Sequence, residues 1–235
     1  DGDGRYLINM AETVLADSGF GELDTARLTE IVQRRVPLYD KSQEAHYNLI
    51  SALHKSLRGS DTNAALYWLA RMLDGGEDPR YIARRLLRFA SEDIGLADPQ
   101  ALVQAIASWE AYERLGSPEG ELAIVQCVIY LGAAPKSNSA YVALKSSAQA
   151  ARENGSLGPP KHILNAPTEF MRNVGYGDGY EYDHNTEDSF SGQNFFPEGM
   201  DRQNFYQPME RGFERDIAKR LKYWDKLRQK KGINE

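Results

Sequence analysis

Along most of the chain apolar residues recur at intervals of three and four, the spacing that gathers them on one face of an α-helix, and Pro and Gly fall where such helices begin and end. An opening helix is expected over about Arg5 to Ala16. "LDTARLTEIVQRRVPLYDK" then offers Asp24 or Thr25 as an N-cap, Leu28, Ile31 and Val32 as one face, and Pro37 as the stop. Ala45, Leu49, Ile50, Leu53 and Leu57 form the next stripe. Ser42 opens that helix with half a capping box, and Gly59 ends it. Leu66, Leu69, Met72 and Leu73 mark a helix that stops at Gly75-Gly76. Pro79 behind Asp78 opens another, with Ile82, Leu86 and Phe89 inward. The proline device recurs at Asp98-Pro99, before a stripe of Leu102, Ala105, Ile106 and Trp109, and again at Ser117-Pro118.

The helix after Ser117-Pro118 is apolar nearly all round from Leu122 to Leu131, so it belongs at the centre of a bundle or in a subunit interface. "APKSNSAYVALKSSAQAARENG" follows, broken at Pro135, capped by Ser137 or Ser139 and stopped at Asn154-Gly155. Beyond the connector Gly158-Pro159-Pro160 the helical period is lost, and Gly, Tyr, Phe, Asn and Asp dominate from Gly175 to Tyr206. Tyr176, Tyr180, Tyr182, Phe195, Phe196, Phe205 and Tyr206 are expected to anchor this stretch as an ordered wrap. The alternation of Tyr180, Tyr182 and His184 allows a short hairpin strand. Helix returns in "RGFERDIAKRLKYWDKLRQKKG", with Phe213, Ile217, Leu221, Trp224 and Leu227 inward and a dense basic set outward. The expected fold class is all-α, in three parts: 1–38, a helical body over 39–160, and 161–235 as a wrapping segment with a terminal basic helix.

Composition narrows the function classes. A chain of 235 residues can bury well over half its unfolded surface. No apolar run reaches the roughly 20 residues a membrane helix needs, so no membrane partner is expected. The lone Cys127 excludes a disulfide framework, which fits the cytoplasm, and its apolar surroundings make it a buried thiol. A net charge of -6 argues against a uniformly nucleic-acid-coating surface while leaving room for basic patches.

The phosphate-cradling Gly-x-x-x-x-Gly-Lys-Ser/Thr signature, paired zinc ligands and the Gly-x-Ser-x-Gly elbow do not occur, so no catalytic residue and no metal is expected in this chain. His46, His54, His162 and His184 are scattered without a ligand set, and Glu92-Asp93 is read as helix-end acids. Basic clusters remain. Arg80, Arg84 and Arg88 form an (i, i+4) row with Arg85 beside it, either to neutralise phosphates or to pair with neighbouring acids. Lys219, Arg220, Lys222, Lys226, Arg228, Lys230 and Lys231 pose the same choice: DNA, an acidic peptide tail, or simple solubility.

Gly2-Asp3-Gly4-Arg5 resembles the Gly-Asp-Ala-Arg sensor 2 motif that opens a lid helix in clamp-loader-like AAA+ ATPases, with Arg5 at the arginine position. Gly4 stands where Ala is usual, and Tyr6 where a second arginine often sits. The blocks "YNLISALHKSLRGSDTNAALYWLARMLDGGEDPRYIARRLLRFASEDIGLADP", "YLGAAPKSNSAYVA" and "PPKHILNAPTEFMRNVGYGDGYEYDH" resemble the C-terminal half of the RarA/MgsA family, whose eukaryotic branch is the Werner helicase-interacting protein.

The resemblance implies the end of an AAA+ lid over 1–38 and a collar-like oligomerisation domain over 39–160. It also implies that the nucleotide-binding core, with its ATP and magnesium, lies upstream of Asp1, leaving no cofactor for this chain. The expected whole is a homotetrameric, DNA-stimulated ATPase at stalled replication forks that associates with single-stranded DNA-binding protein. Leu122, Val125 and Ile129, with Trp68 and Trp109, are the expected core or interface anchors. The competing reading is a DNA-binding module that uses Arg80, Arg84, Arg85 and Arg88 with Lys219, Lys222 and Lys226.

Overall fold

The computed structural model describes residues 43–231, together with Ala11, Val14, Leu15, Asp24 and Thr25, and the side chains of the long stretch from Tyr47 onward. The expectations for Arg5 and for the Leu28 face lie outside the described residues, and that for His46 concerns a side chain outside those described. Eight α-helices and no strand occur among the residues described: α1 (Gln43–Arg58), α2 (Thr62–Asp74), α3 (Pro79–Phe89), α4 (Gln100–Leu115), α5 (Glu121–Ala133), α6 (Ser139–Glu153), α7 (Glu169–Asn173) and α8 (Glu214–Lys230).

The helix starts follow side-chain chemistry. Asp61 caps α2 by accepting the Ala64 N–H, and Asp78 caps α3 by accepting the Arg80 N–H behind a first-turn proline, so each carboxylate satisfies an amide that the helix itself leaves free. Thr168 does the same for α7 through the Met171 N–H. After α3 the chain does not stop at once. A π-turn at Ala90–Ile94 and a 3-10 turn at Gly95–Ala97 carry it to α4.

The core lies among α1 to α5. α5 is its centre and touches each of the other four helices. Ile124, Cys127, Val128 and Leu131 face inward from α5 and meet Leu53 and Leu57 of α1, Leu69 and Met72 of α2, and Leu86 and Phe89 of α3 in one cluster. At the end of α5 the Lys136 ammonium donates to the Gly132 and Ala134 carbonyls at 3.0 and 2.6 Å, closing the helix with a positive group where its dipole is negative.

Three sequence expectations are corrected here. The inward face of α4 is Ala101, Ala105, Ser108 and Tyr112, while Leu102 and Ile106 point out. Small residues let α4 lie close against α5, so the periodic stripe of larger residues falls one position off the contact. The Tyr180–His184 stretch is not a strand: Gly175, Gly177 and Gly179 hold left-handed φ values of 89, 74 and 78°, which curl the chain, and Asp183–Asn185 is a 3-10 turn. On α8 only Leu227 of the expected inward set is buried, while Phe213 and Trp224 are exposed, because the helix lies across the surface.

Candidate functional site

Two surfaces carry the residues singled out above, and the first is the outer side of the α4–α5 pair. The Tyr130 hydroxyl donates to Asp98 at 2.7 Å, which ties the end of α5 to the start of α4 and sets the two helices antiparallel in register. Ile129 therefore stands level with the beginning of α4, and Leu122 level with its end. Leu122 is 71% exposed and Ile129 46%, with Val125 half-buried between them. Leu102, Val103 and Ile106 are exposed on α4. Trp109 is half-buried and donates its indole N–H to Glu113 at 3.2 Å. Trp68 packs on the core edge, with its ring edge-on to Tyr67. α5 is thus apolar nearly all round, Gln126 excepted, for two separate reasons: one face fills the core, and the other has no partner among the described residues.

The α3 arginines are largely engaged. Arg80 grips Glu113 through Nε at 2.7 Å, Arg88 grips Glu92 at 2.7 Å, and the Arg84 guanidinium lies 5.4 Å from the Tyr81 ring centre. Arg85 is half-buried, and its Nε has no hydrogen-bond partner. Glu92 and Asp93, read above as helix-end acids, hold arginines: Glu92 takes Arg88, and Asp93 takes a two-pronged grip from Arg58 of α1 at 2.6 and 3.1 Å. His54 sits under this cluster, edge-on to Phe89. Burial first, and then the Arg85 charge, push its imidazole down to about 4, so it is neutral at physiological pH.

The second surface is α8. Its first residue, Glu214, is fully buried and was not anticipated. The carboxylate accepts from the Ser137 hydroxyl at 2.7 Å, the Tyr206 hydroxyl at 2.8 Å, the Met209 N–H at 2.9 Å, and the Ser139 hydroxyl. Ser137, one of the two expected caps of α6, accepts the Ser139 N–H at 3.2 Å, and both serines also turn their hydroxyls to this anion. Burial opposes the charge, but the hydroxyl and amide donors prevail and hold the carboxyl below its ordinary range. Beside it the Phe213 N–H donates to Ala97 at 2.8 Å, and Gly212 adopts φ 49° so close to the Ala97 carbonyl that a Cβ would overlap it. The only sequence signal for this latch was an acid at a helix start, a common feature with many uses.

Beyond the latch α8 exposes its basic side. Lys219 pairs with Asp216 at 3.1 Å, whereas Lys222, Lys226 and Lys230 are exposed and have no carboxylate within ion-pair distance among the described residues. No cluster of three or more potential metal ligands occurs among the described residues.

Residues 59–225 match the family model described as MgsA AAA+ ATPase C terminal, and residues 1–58 match that of the AAA C-terminal domain. The chain belongs to the MgsA family of AAA+ ATPases. Its similarity extends to replication-associated recombination protein A of Coxiella burnetii, 44% identical over 240 aligned positions that take in 100% of this chain and 54% of that protein. The Escherichia coli K12 protein of the same name is 44% identical over 94% of this chain and 51% of its own length. ATPase WRNIP1 of Dictyostelium discoideum is also 44% identical, over 88% of this chain and 26% of that protein. The chain thus spans about half the length of the bacterial recombination proteins it matches. The all-helical body agrees with the C-terminal helical region of an MgsA protein, and no described helix is long and apolar enough to cross a membrane.

Proposed function

We propose that this chain is the assembly and lid portion of a replication-associated recombination AAA+ ATPase that acts at stalled forks. In this reading the helical body joins copies into a homotetramer and sets the spacing of the ATPase modules, so that nucleotide-driven lid movement reaches DNA. The observation that supports it is the outward apolar surface of α4 and α5, where Leu122, Ile129 and Val103 stand exposed while the opposite side of α5 fills the core. ATP and magnesium belong to the whole protein, with Arg5 as the sensor of bound nucleotide. No described residue is assigned to them, and no step of ATP chemistry is placed on this chain. Single-stranded DNA-binding protein is the further partner, and the cytoplasm the compartment.

The test is substitution on that face. Leu122→Glu and Ile129→Glu alter exposed positions, so each chain still folds, and sedimentation velocity should show smaller assemblies than the parent forms. Arg152→Glu, at an exposed position in the last turn of α6, should leave the assembly as it was. Equal sedimentation for all of these chains removes the α4–α5 face from the reading.

A second reading, direct DNA binding, is favoured at α8 rather than α3. Arg80 and Arg88 already have carboxylates, while Lys222 and Lys226 have none among the described residues. Affinity for single-stranded DNA should then fall steeply with salt and drop further in Lys222→Glu with Lys226→Glu. Salt-independent binding would remove this reading.

A further inference from the structure

Between the irregular stretch 202–210 and one side of α8 lies an open cleft of 1160 Å³. Aromatic and cationic side chains share its walls. Trp224 and Phe190 stack with ring centres 5.1 Å apart, and Phe205 lines the cleft near them. Arg202 and Arg228 line it as well. Arg228 is held in place: its guanidinium lies 5.2 Å from the Phe190 ring centre, and its Nη1 donates to Asp225 at 3.1 Å. Its Nε is buried without a hydrogen-bond partner. Burial first, and then the neighbouring charge of Arg202, push this guanidinium down from its ordinary value. Arg202 itself forms no ion pair among the described residues and packs 5.7 Å from the Phe196 ring centre.

Three carboxylates line the same cleft, as many as its cations once Lys222 is counted, and they differ in what they engage. Asp225 is mostly exposed, Glu210 is exposed, and Asp183 already accepts from the amide and hydroxyl of Ser191 at 2.7 and 2.8 Å. Arg202 is therefore left without a carboxylate partner among the described residues, and a bound anion gains charge-assisted hydrogen bonds from it. Lys222 also lines the cleft. Lys226 and Lys230 continue from it along the same side of α8, each about 6 Å further along the axis. A lone carboxylate would use only the arginines. A row of lysines leaving the cleft suits an anion that repeats along a chain, and the aromatic wall suits a planar ring between successive anions.

We propose that the cleft binds a nucleoside phosphate unit, with the phosphate between Arg202 and Arg228 and the base against Trp224. Two sources supply that chemistry, a free nucleotide and a single strand. In a strand the following phosphates track Lys222, Lys226 and Lys230. The proposal deepens the nucleic-acid reading above and rests on it for the strand, though not for the phosphate.

The test compares Arg202→Gln, Trp224→Leu and a control, Arg114→Gln, which breaks an exposed ion pair on α4. Binding of a labelled oligothymidine strand is followed by fluorescence anisotropy, and binding of thymidine monophosphate and of inorganic phosphate by calorimetry. Arg202 is exposed and outside every described ion pair, so Arg202→Gln keeps the fold and decides the matter if Trp224→Leu loosens the loop. Both cleft variants should bind the strand roughly tenfold more weakly, the loss of one charge-assisted contact, while Arg114→Gln binds as the parent chain does. Thymidine monophosphate should bind more tightly than inorganic phosphate, and Arg202→Gln should weaken it. If the strand binds Arg202→Gln and Trp224→Leu unchanged and is lost only on reversal of Lys222 and Lys226, the cleft is wrong and the nucleic-acid reading stands. Mononucleotide binding that depends on Arg202, without any strand binding, keeps the cleft and removes that reading. Binding of neither overturns both.

Discussion

Replacing Glu214 by Gln probes how the C-terminal helix is held. The native carboxylate receives the Ser137 hydroxyl and the Met209 N–H on one oxygen, and the Ser139 and Tyr206 hydroxyls on the other. A glutamine amide keeps one acceptor oxygen. It serves best if that oxygen stays on Met209, whose N–H can only donate, and the amide nitrogen turns to Ser139 and Tyr206, whose hydroxyls can rotate to accept. No bond need be orphaned, so the cost is the difference between charge-assisted and neutral hydrogen bonds, about 2 kcal/mol in all. Glu214→Ala leaves the same donors buried without an acceptor and should cost about 4 kcal/mol.

Because the folded-state carboxyl lies below its ordinary range, the latch contributes stability above the unfolded Glu value and loses it as pH falls through the lowered one, that is, below about pH 4. Hydrogen exchange of the α8 amides is the assay. Glu214→Gln should speed exchange through α8 and 205–213 while leaving α1 to α5 protected, and the parent chain should show the same local loss in acid. Unchanged α8 protection in Glu214→Ala would refute the reasoning.

Other outcomes follow from the same geometry. Leu131→Ala removes a fully buried side chain from the last turn of α5 and should cost about 2–5 kcal/mol in urea unfolding. Arg80→Gln breaks an exposed ion pair with Glu113 and should leave the urea unfolding midpoint almost unmoved. Burial raises the Cys127 thiol to about 11, so native chain at neutral pH should react with iodoacetamide far more slowly than urea-unfolded chain.

The helical body was legible because its caps are local. Asp78 acts on an amide two residues away, and an Asp before a first-turn proline needs no tertiary context to be recognised; Asp61, three residues from its amide, is equally local but was not among the expected caps. The surface of α4 was not legible in the same way. Leu102 and Ile106 make a convincing inward stripe until α5 is placed beside them, and close approach selects Ala101 and Ala105 instead. Glu214 was out of reach for a related reason: its partners come from positions 137, 139, 206 and 209, so nothing near it in the chain marks it as buried. The arginine row was open in sequence between phosphates and neighbouring acids. Glu92 is a local partner for Arg88, whereas Glu113, 33 residues from Arg80, reaches it only through folding, and the less conspicuous Lys222, Lys226 and Lys230 of α8 are left without carboxylates among the described residues.

The central claim is that the α4–α5 face joins copies of this chain. It is tested most directly by the mass of the unmodified chain in solution, from size exclusion with light scattering over a range of concentrations. The account predicts a particle of four times 26.4 kDa that persists on dilution. A particle of 26.4 kDa at every concentration would contradict it.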